Sequence, residues 1–264
     1  MCAGNADFWG DLGRRAQPNW YLDPLVAQWK KRDHMKFLRR WMPGSPPARI
    51  LKTDLFEEAF GEDALLFDLF PVGMVCGMDL SASTVRQAGK KAPDARYQFS
   101  VGDLRMLPFQ PGAFDFILST SSLDHFETAR EFDNALGQLI QALSPGGRLI
   151  LTLDNIWNPL YFPLKWFSRF PWSPFPLGYA PGRARLRKAM QRRGLRILGS
   201  DCLVHNPRML STLLFLSVRR AFGPRADRVI AALLRTFSLA DNLPSRFLTA
   251  CFIAVIAEKP KNPA

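Results

Sequence analysis

Between residues 49 and 153, short apolar runs alternate with stretches of helical period, and this alternation constrains the fold more than any other feature. The runs at 49–53, 74–79, 97–101, 114–119 and 148–153 read as strands. Between them, 57–70 reads as a helix. Ser81 is placed to N-cap a second helix running to about Lys91. A third spans 129–143, with Phe132, Leu136, Leu139, Ile140 and Leu143 on one side. Ser144-Pro145-Gly146-Gly147 reads as the turn into the fifth strand. Such alternation implies a parallel sheet covered by helices on both faces. Right-handed crossovers leave few topologies for it.

The flanks are different. Residues 18–43 carry Val26, Trp29, Phe37, Leu38 and Trp41 at helical spacing, and Pro43-Gly44-Ser45-Pro46-Pro47 follows as a linker. After Asp154, residues 157–181 are crowded with aromatics and broken by prolines, without a helical pattern. They read as an apolar lid. A basic helix at 183–193, a strand at 195–204, helices at 207–220 and 225–239 and a final strand at 247–257 complete the chain. The expected architecture is α/β: a Rossmann-like, seven-stranded, mostly parallel sheet with helices on both faces. A helical arm over 1–47 precedes a domain over 48–264, whose aromatic insertion covers about 156–182.

Composition narrows the surroundings. The chain has 264 residues, 47% hydrophobic and 22% charged, with a net charge of +12. That is globular composition with material for a core. Basic clusters at 30–32 with 39–40, at 183–196 and at 219–228 contrast with a more acidic stretch over 53–154. Such clusters attract phosphate-bearing partners or line solvated helix faces. Cys2, Cys76, Cys202 and Cys251 form no CxxC pair, and no His or Cys stands at zinc-site spacing. Neither a disulfide framework nor a metal is expected, and a cytoplasmic setting fits. The first residues lack a signal-peptide pattern, and no apolar run is long enough to span a bilayer. Peripheral contact with the inner membrane surface stays open.

Ligands of such sheets bind beyond the carboxyl ends of the strands. Asp54 follows the first strand, Asp79 ends the second and Asp103 follows the third. An acid at the end of the second strand suits ribose hydroxyls. One after the third suits an adenine amino group. Each has a plain structural alternative as a helix cap or turn residue.

Gly77-Met78-Asp79-Leu80-Ser81, then Gly102-Asp103-Leu104-Arg105-Met106-Leu107-Pro108-Phe109 with Phe114-Asp115, Leu123-Asp124-His125-Phe126, and Leu143-Ser144-Pro145-Gly146-Gly147 follow in order. This ordered set resembles the class I S-adenosylmethionine-dependent methyltransferases, of the type 11 kind, over about 49–155. The resemblance implies S-adenosylmethionine as cofactor. It implies that Asp79, beside Leu80, binds the ribose, and that Asp103 and Leu104 meet the adenine. Ser119, Thr120 and Ser121 would line the methionine end. One departure stands out. The family's first motif is an acid followed by alternating glycines, whereas this chain has Lys52 at the acid position and no glycine before Gly61. Glycine there permits positive φ and close backbone approach. A wider loop, with Asp54 or Glu57 meeting the cofactor's ammonium group, is the expected substitute.

Methyl transfer is accelerated chiefly by alignment, and a general base adds about 10²–10⁴-fold where a proton must leave. His125 is the leading base candidate, ahead of Asp154, Tyr161 and His205. The aromatic insertion beside the basic helix favours a small, apolar or lipid-like acceptor, with contact to an anionic membrane. Two other readings stand beside it: a nucleic-acid methyltransferase, and a methyltransferase-like scaffold without catalysis. Asn158-Pro159-Leu160-Tyr161 superficially resembles the signature of base amino methyltransferases, but it follows the fifth strand rather than the fourth.

Overall fold

The computed structural model describes residues 23–44, 46–69, 73–170 and 176–261. Seven strands make one sheet: β1 Arg49–Thr53, β2 Met74–Asp79, β3 Tyr97–Val101, β4 Phe114–Thr120, β5 Leu143–Asp154, β6 Arg196–Leu203 and β7 Phe252–Glu258. Their order is β3-β2-β1-β4-β5-β7-β6. The first five run parallel. β7 lies antiparallel between β5 and β6. This is the expected Rossmann-like sheet. Chain order reverses between β1 and β4, so the crevice for a ligand opens at their carboxyl ends.

Successive residues of a strand face opposite sides, and both sides are covered here. Leu51, Ile117, Leu149 and Leu151 pack with helices α4 (Ala129–Ala142) and α6 (Arg183–Arg192). Their neighbours Ile50, Phe116, Leu118 and Ile150 pack with Met35, Phe37 and Leu38 of α1 (Pro24–Trp41). The strands therefore read as continuous apolar runs. Asp23 caps α1, accepting from Leu25 N at 2.9 Å, and Pro24 sits where its missing N–H costs nothing. The helix also joins a satellite core with α7 (Met209–Phe222) and α8 (Ala226–Ser238), through Val26, Phe215 and Ile230. Residues 1–22 and 45 of the expected arm lie outside the described residues.

Helix α3 (Ala82–Lys90) starts at Ser81, whose hydroxyl accepts from Thr84 N. Thr128 and Glu131 cap α4 reciprocally. Four expectations need correction. The helix expected over 57–70 is only α2, Phe56–Phe60. Buried Glu58 accepts from Leu65 N at 3.0 Å and Leu66 N at 2.9 Å, pulling the chain back into a 3₁₀ turn at Leu66–Asp68. Phe70 lies outside the described residues. Next, 144–147 is no separate turn. It is a bulge within β5, where Leu143 pairs with Phe114, Arg148 with Phe116, and Gly146 takes φ +81°.

Third, the insertion contains a helix, α5 (Tyr161–Phe167). Pro163 falls in its first turn, where no N–H is needed. Trp172 and Phe175 lie outside the described residues. Fourth, the last strand starts at Phe252 instead of residue 247, because Arg246–Thr249 forms α9. Asn155 Nδ2 donates to the carbonyls of Phe247 at 2.7 Å and Ala250 at 2.9 Å, and Asn158 Nδ2 to that of Thr249 at 3.0 Å. Those amides take carbonyls that a strand would have given to its neighbour.

Candidate functional site

A cavity of about 270 Å³ opens at the carboxyl ends of β1, β2 and β4. Its wall brings together Asp54, Asp79, Leu80, Asp103, Leu104 and His125, all singled out from the sequence. Of the three residues expected at the methionine end, Ser119 and Thr120 are outside the wall, while Ser121 lines it together with Ser122. β4 runs on to Thr120, and Ser119 is fully buried opposite Thr53, whose Oγ1 donates to Ser119 Oγ at 2.9 Å. The chain reaches the cleft only after Ser121 turns it at φ +46°. Lys30, Phe56, Glu57 and Arg105 also face the cleft, and only Glu57 among them was expected there.

The glycine-poor loop is built with ions. Asp54 occupies the left-handed region, φ +68°. Aspartate tolerates this because its short side chain bonds locally, here accepting from Phe56 N at 2.9 Å. Lys52 does not point into the cleft. It is buried beneath the loop, 2.7 Å from Glu58, and also donates to the carbonyl of Asp54. Burial opposes its charge, yet Glu58, Glu57 and Asp54 together hold its pKa above the ordinary lysine value. Burial would likewise raise Glu57, but Lys30 and Lys52 bring it down to about 2.

Asp79 is fixed by two N–H groups: Leu55 N donates to Oδ2 at 2.9 Å and Ser81 N to Oδ1 at 2.8 Å. Burial nonetheless lifts its pKa. Asp54 is lifted well above its usual range, first by burial and then by Glu57. Two carboxylates in this condition favour a cationic visitor. Asp103 differs. Partial burial would raise it, but the fork of Arg105, at 2.6 Å from Oδ2, holds it below the usual range. Arg105 also reaches Glu131 at 2.9 Å.

Residues 176–179 of the insertion lie against the loop after β4. Gly178 N donates to Asp124 O at 2.8 Å and Tyr179 N to Phe126 O at 2.6 Å. A Cβ at Gly178 would stand 2.2 Å from Phe126 O, so only glycine fits. His125 Nδ1 is 3.1 Å from Pro176 O. A carbonyl can only accept, so Nδ1 carries the proton and Nε2 of the neutral ring is the acceptor. Beside it, buried Asp124 accepts from Asp154 N at 2.7 Å through Oδ2, while its Oδ1 has no partner. Burial, then Asp154, pushes the Asp124 carboxyl up to about 6. Asp154 pairs with Arg208 at 2.9 Å, and burial raises the phenol of nearby Tyr161. Asp154, Tyr161 and His205 are absent from the cleft wall. His205 is committed to Asp241 at 3.0 Å and Thr249 Oγ1 at 2.8 Å.

The family described as "Methyltransferase domain" matches residues 59–151. A demethylmenaquinone methyltransferase of Thermus thermophilus is 33% identical over 108 residues, which cover 40% of this chain and 46% of that protein. The match thus spans under half the length of that relative. Among solved structures, an S-adenosylmethionine-dependent methyltransferase of Thermotoga maritima superposes with a TM-score of 0.60 at 14% identity, over 96% of this chain and 99% of that one. The N-methyltransferase NodS of Bradyrhizobium japonicum, solved with S-adenosylhomocysteine, gives 0.54 at 12% identity, over 88% of each chain. At such identity the superpositions speak for the fold. Joined to the family model, which matches residues 59–151, and to the ordered acids at the ends of β1, β2 and β3, they support a class I S-adenosylmethionine-dependent methyltransferase family for this chain.

Proposed function

We propose that the chain binds S-adenosylmethionine in this cleft and transfers its methyl group to a small, apolar, lipid-like acceptor. The observation that carries the reading is Asp79, held by two N–H groups at the end of β2 with a lone pair left on each oxygen for a ribose diol. The donor set suits the rest of the molecule. Asp103 and Leu104 border the place for adenine. Asp54, destabilised as an anion by burial, favours the ammonium group. The N–H groups of Leu55 and Phe56 are already taken by Asp79 and Asp54, so the tail carboxylate meets Lys30 of α1, which lines the cleft while paired with Asp63 at 2.8 Å and Glu57 at 3.4 Å.

When bound, this cofactor supplies an electrophilic methyl group. The chain's own contribution is alignment, exclusion of water by residues 176–179, and a proton acceptor at His125 Nε2. The apolar acceptor follows from the aromatic insertion beside the cleft, and the name of the Thermus relative supports it.

The test is calorimetric titration with S-adenosylmethionine and S-adenosylhomocysteine, with Asp79→Ala alongside. Loss of a charged hydrogen-bonding partner predicts roughly 10–100-fold weaker binding. If folded wild-type protein takes up neither compound, the reading fails.

A further inference from the structure

The net charge of the protein is concentrated in one stretch. Residues 155–226 hold thirteen lysines and arginines against one acid, Asp201, which equals the +12 of the whole chain. The same stretch displays large apolar side chains to solvent. On α5, Phe162 is 65% exposed and Trp166 57%, four residues apart on one face, and Phe170 continues the stripe. Trp166 packs edge-on against Phe167 and Phe170, at 4.9 and 5.1 Å, so the rings form a cluster rather than scattered residues. On α7, Leu210, Leu213 and Leu214 make a second exposed stripe at helical spacing.

Both stripes belong to one end of the molecule. Arg208, at the start of α7, pairs with Asp154 at the end of β5, and Tyr161, at the start of α5, lies within the electrostatic reach of both. The insertion that bears α5 continues into residues 176–179, which lie on His125 and Phe126 of the cleft wall. Arg169 of the insertion and Arg185, Arg187 and Lys188 of α6, the next helix in the chain, are exposed, with no acid between them in the sequence.

We propose that this end, made by α5 and α7, docks on an anionic lipid bilayer, which delivers the acceptor to the cleft. Its use in delivery rests on the methyl-transfer reading; the docking itself does not. Exposed aromatics enter the headgroup layer while neighbouring cations meet anionic lipid, the combination that holds monotopic proteins at an interface. Among the described residues no helix is long and apolar enough to cross a membrane, so the contact lies along the surface. The charge decides between candidate occupants. A second copy of this chain would set one +12 stretch against another.

The experiment is vesicle flotation of the full chain. One set of vesicles is phosphatidylcholine alone, and the other contains about one third phosphatidylglycerol. Wild type is expected to float with the anionic vesicles about tenfold more than with neutral ones, and to lose that preference in high salt. Phe162→Ser with Trp166→Ser should reduce flotation about tenfold at low salt while leaving S-adenosylhomocysteine affinity unchanged, which shows the variant folded. Flotation that is equal on both vesicles, or unaffected by the double substitution, overturns the proposal. So does salt-sensitive capture of RNA without flotation, or a concentration-dependent dimer abolished by Leu213→Asp. Flotation without any uptake of S-adenosylhomocysteine keeps the docking face and removes the methyl-transfer reading instead.

Discussion

Residues 49–126 and residues 155–226 treat charge in opposite ways. In the first region the cleft's ions are consumed inside the protein: Lys52 on Glu58, Asp103 on Arg105, Asp79 on two backbone N–H groups. The pairs define a shape. In the second region most arginines and aromatics face outward, and few of the cations are spent on carboxylates. The contrast separates two uses of the same side chains. A buried pair is costly to break because it leaves an uncompensated charge. An exposed cation contributes little to folding and remains available to a partner.

The largest expected effect tests the first half of that contrast. Lys52→Met leaves Glu58 buried without its cation and should cost about 3–5 kcal/mol in urea unfolding. Adding Glu58→Gln, which can still accept from Leu65 and Leu66, should recover a good part of that loss. A cost near zero for Lys52→Met would mean that the loop is not held by ions.

Next comes Asp124, whose carboxyl sits at about 6 when folded. An acid raised on folding favours the native state only in its protonated form. Stability therefore falls as pH rises from about 4 to about 6 and stays lower above that, on the order of 2 kcal/mol. Asp124→Asn can still accept from Asp154 N and has no such loss, so its unfolding midpoint should exceed that of wild type at pH 8 and converge with it in acid. Parallel pH profiles would show that the orphaned oxygen is not the source.

Lys30→Met sharpens the account of the cleft. It should weaken S-adenosylhomocysteine about tenfold and leave 5′-methylthioadenosine, which has no amino-acid tail, unaffected. Lys30 also pairs with Asp63 at 2.8 Å, so Asp63→Asn is the control for a purely structural role. Equal losses for both ligands would place Lys30 in the framework. The smallest effect belongs to the second region. Arg187→Ala with Lys188→Ala should leave the urea midpoint unchanged within error while reducing flotation on anionic vesicles.

The strands were legible because burial on both faces writes them as uninterrupted apolar runs, and the acids because each stands at or within two residues of a strand's carboxyl end. The cleft's floor was legible for the same reason. What was not legible depends on partners distant in sequence. Lys30 enters the cleft from a helix that packs across one face of the sheet, and nothing near residue 30 announces it. Lys52 looked like a lost acid, because its role is set by Glu58 and by a left-handed Asp54. The helix at 161–167 was hidden by Pro163, which happens to fall where a first turn accepts it. The start of the last strand was set by two asparagine amides nearly a hundred residues earlier.

The placing of β7 between β5 and β6 carries a consequence for synthesis on the ribosome. Strands β1 to β5 can pair as they emerge, each beside one already made. β6 cannot, because its neighbour in the sheet is made after it. Until residues 252–258 have left the exit tunnel, β5 presents a bare, apolar edge, and β6, within the cationic stretch made just before, has no strand to pair with. Bare edges of this kind invite pairing with other chains, and N-terminal-first folding prolongs the wait. The nascent chain therefore spends its most vulnerable interval with its stickiest and most positively charged portion uncovered, beside an RNA-rich machine. A slow codon late in the message would lengthen that interval, and a chaperone that shields strand edges would shorten it.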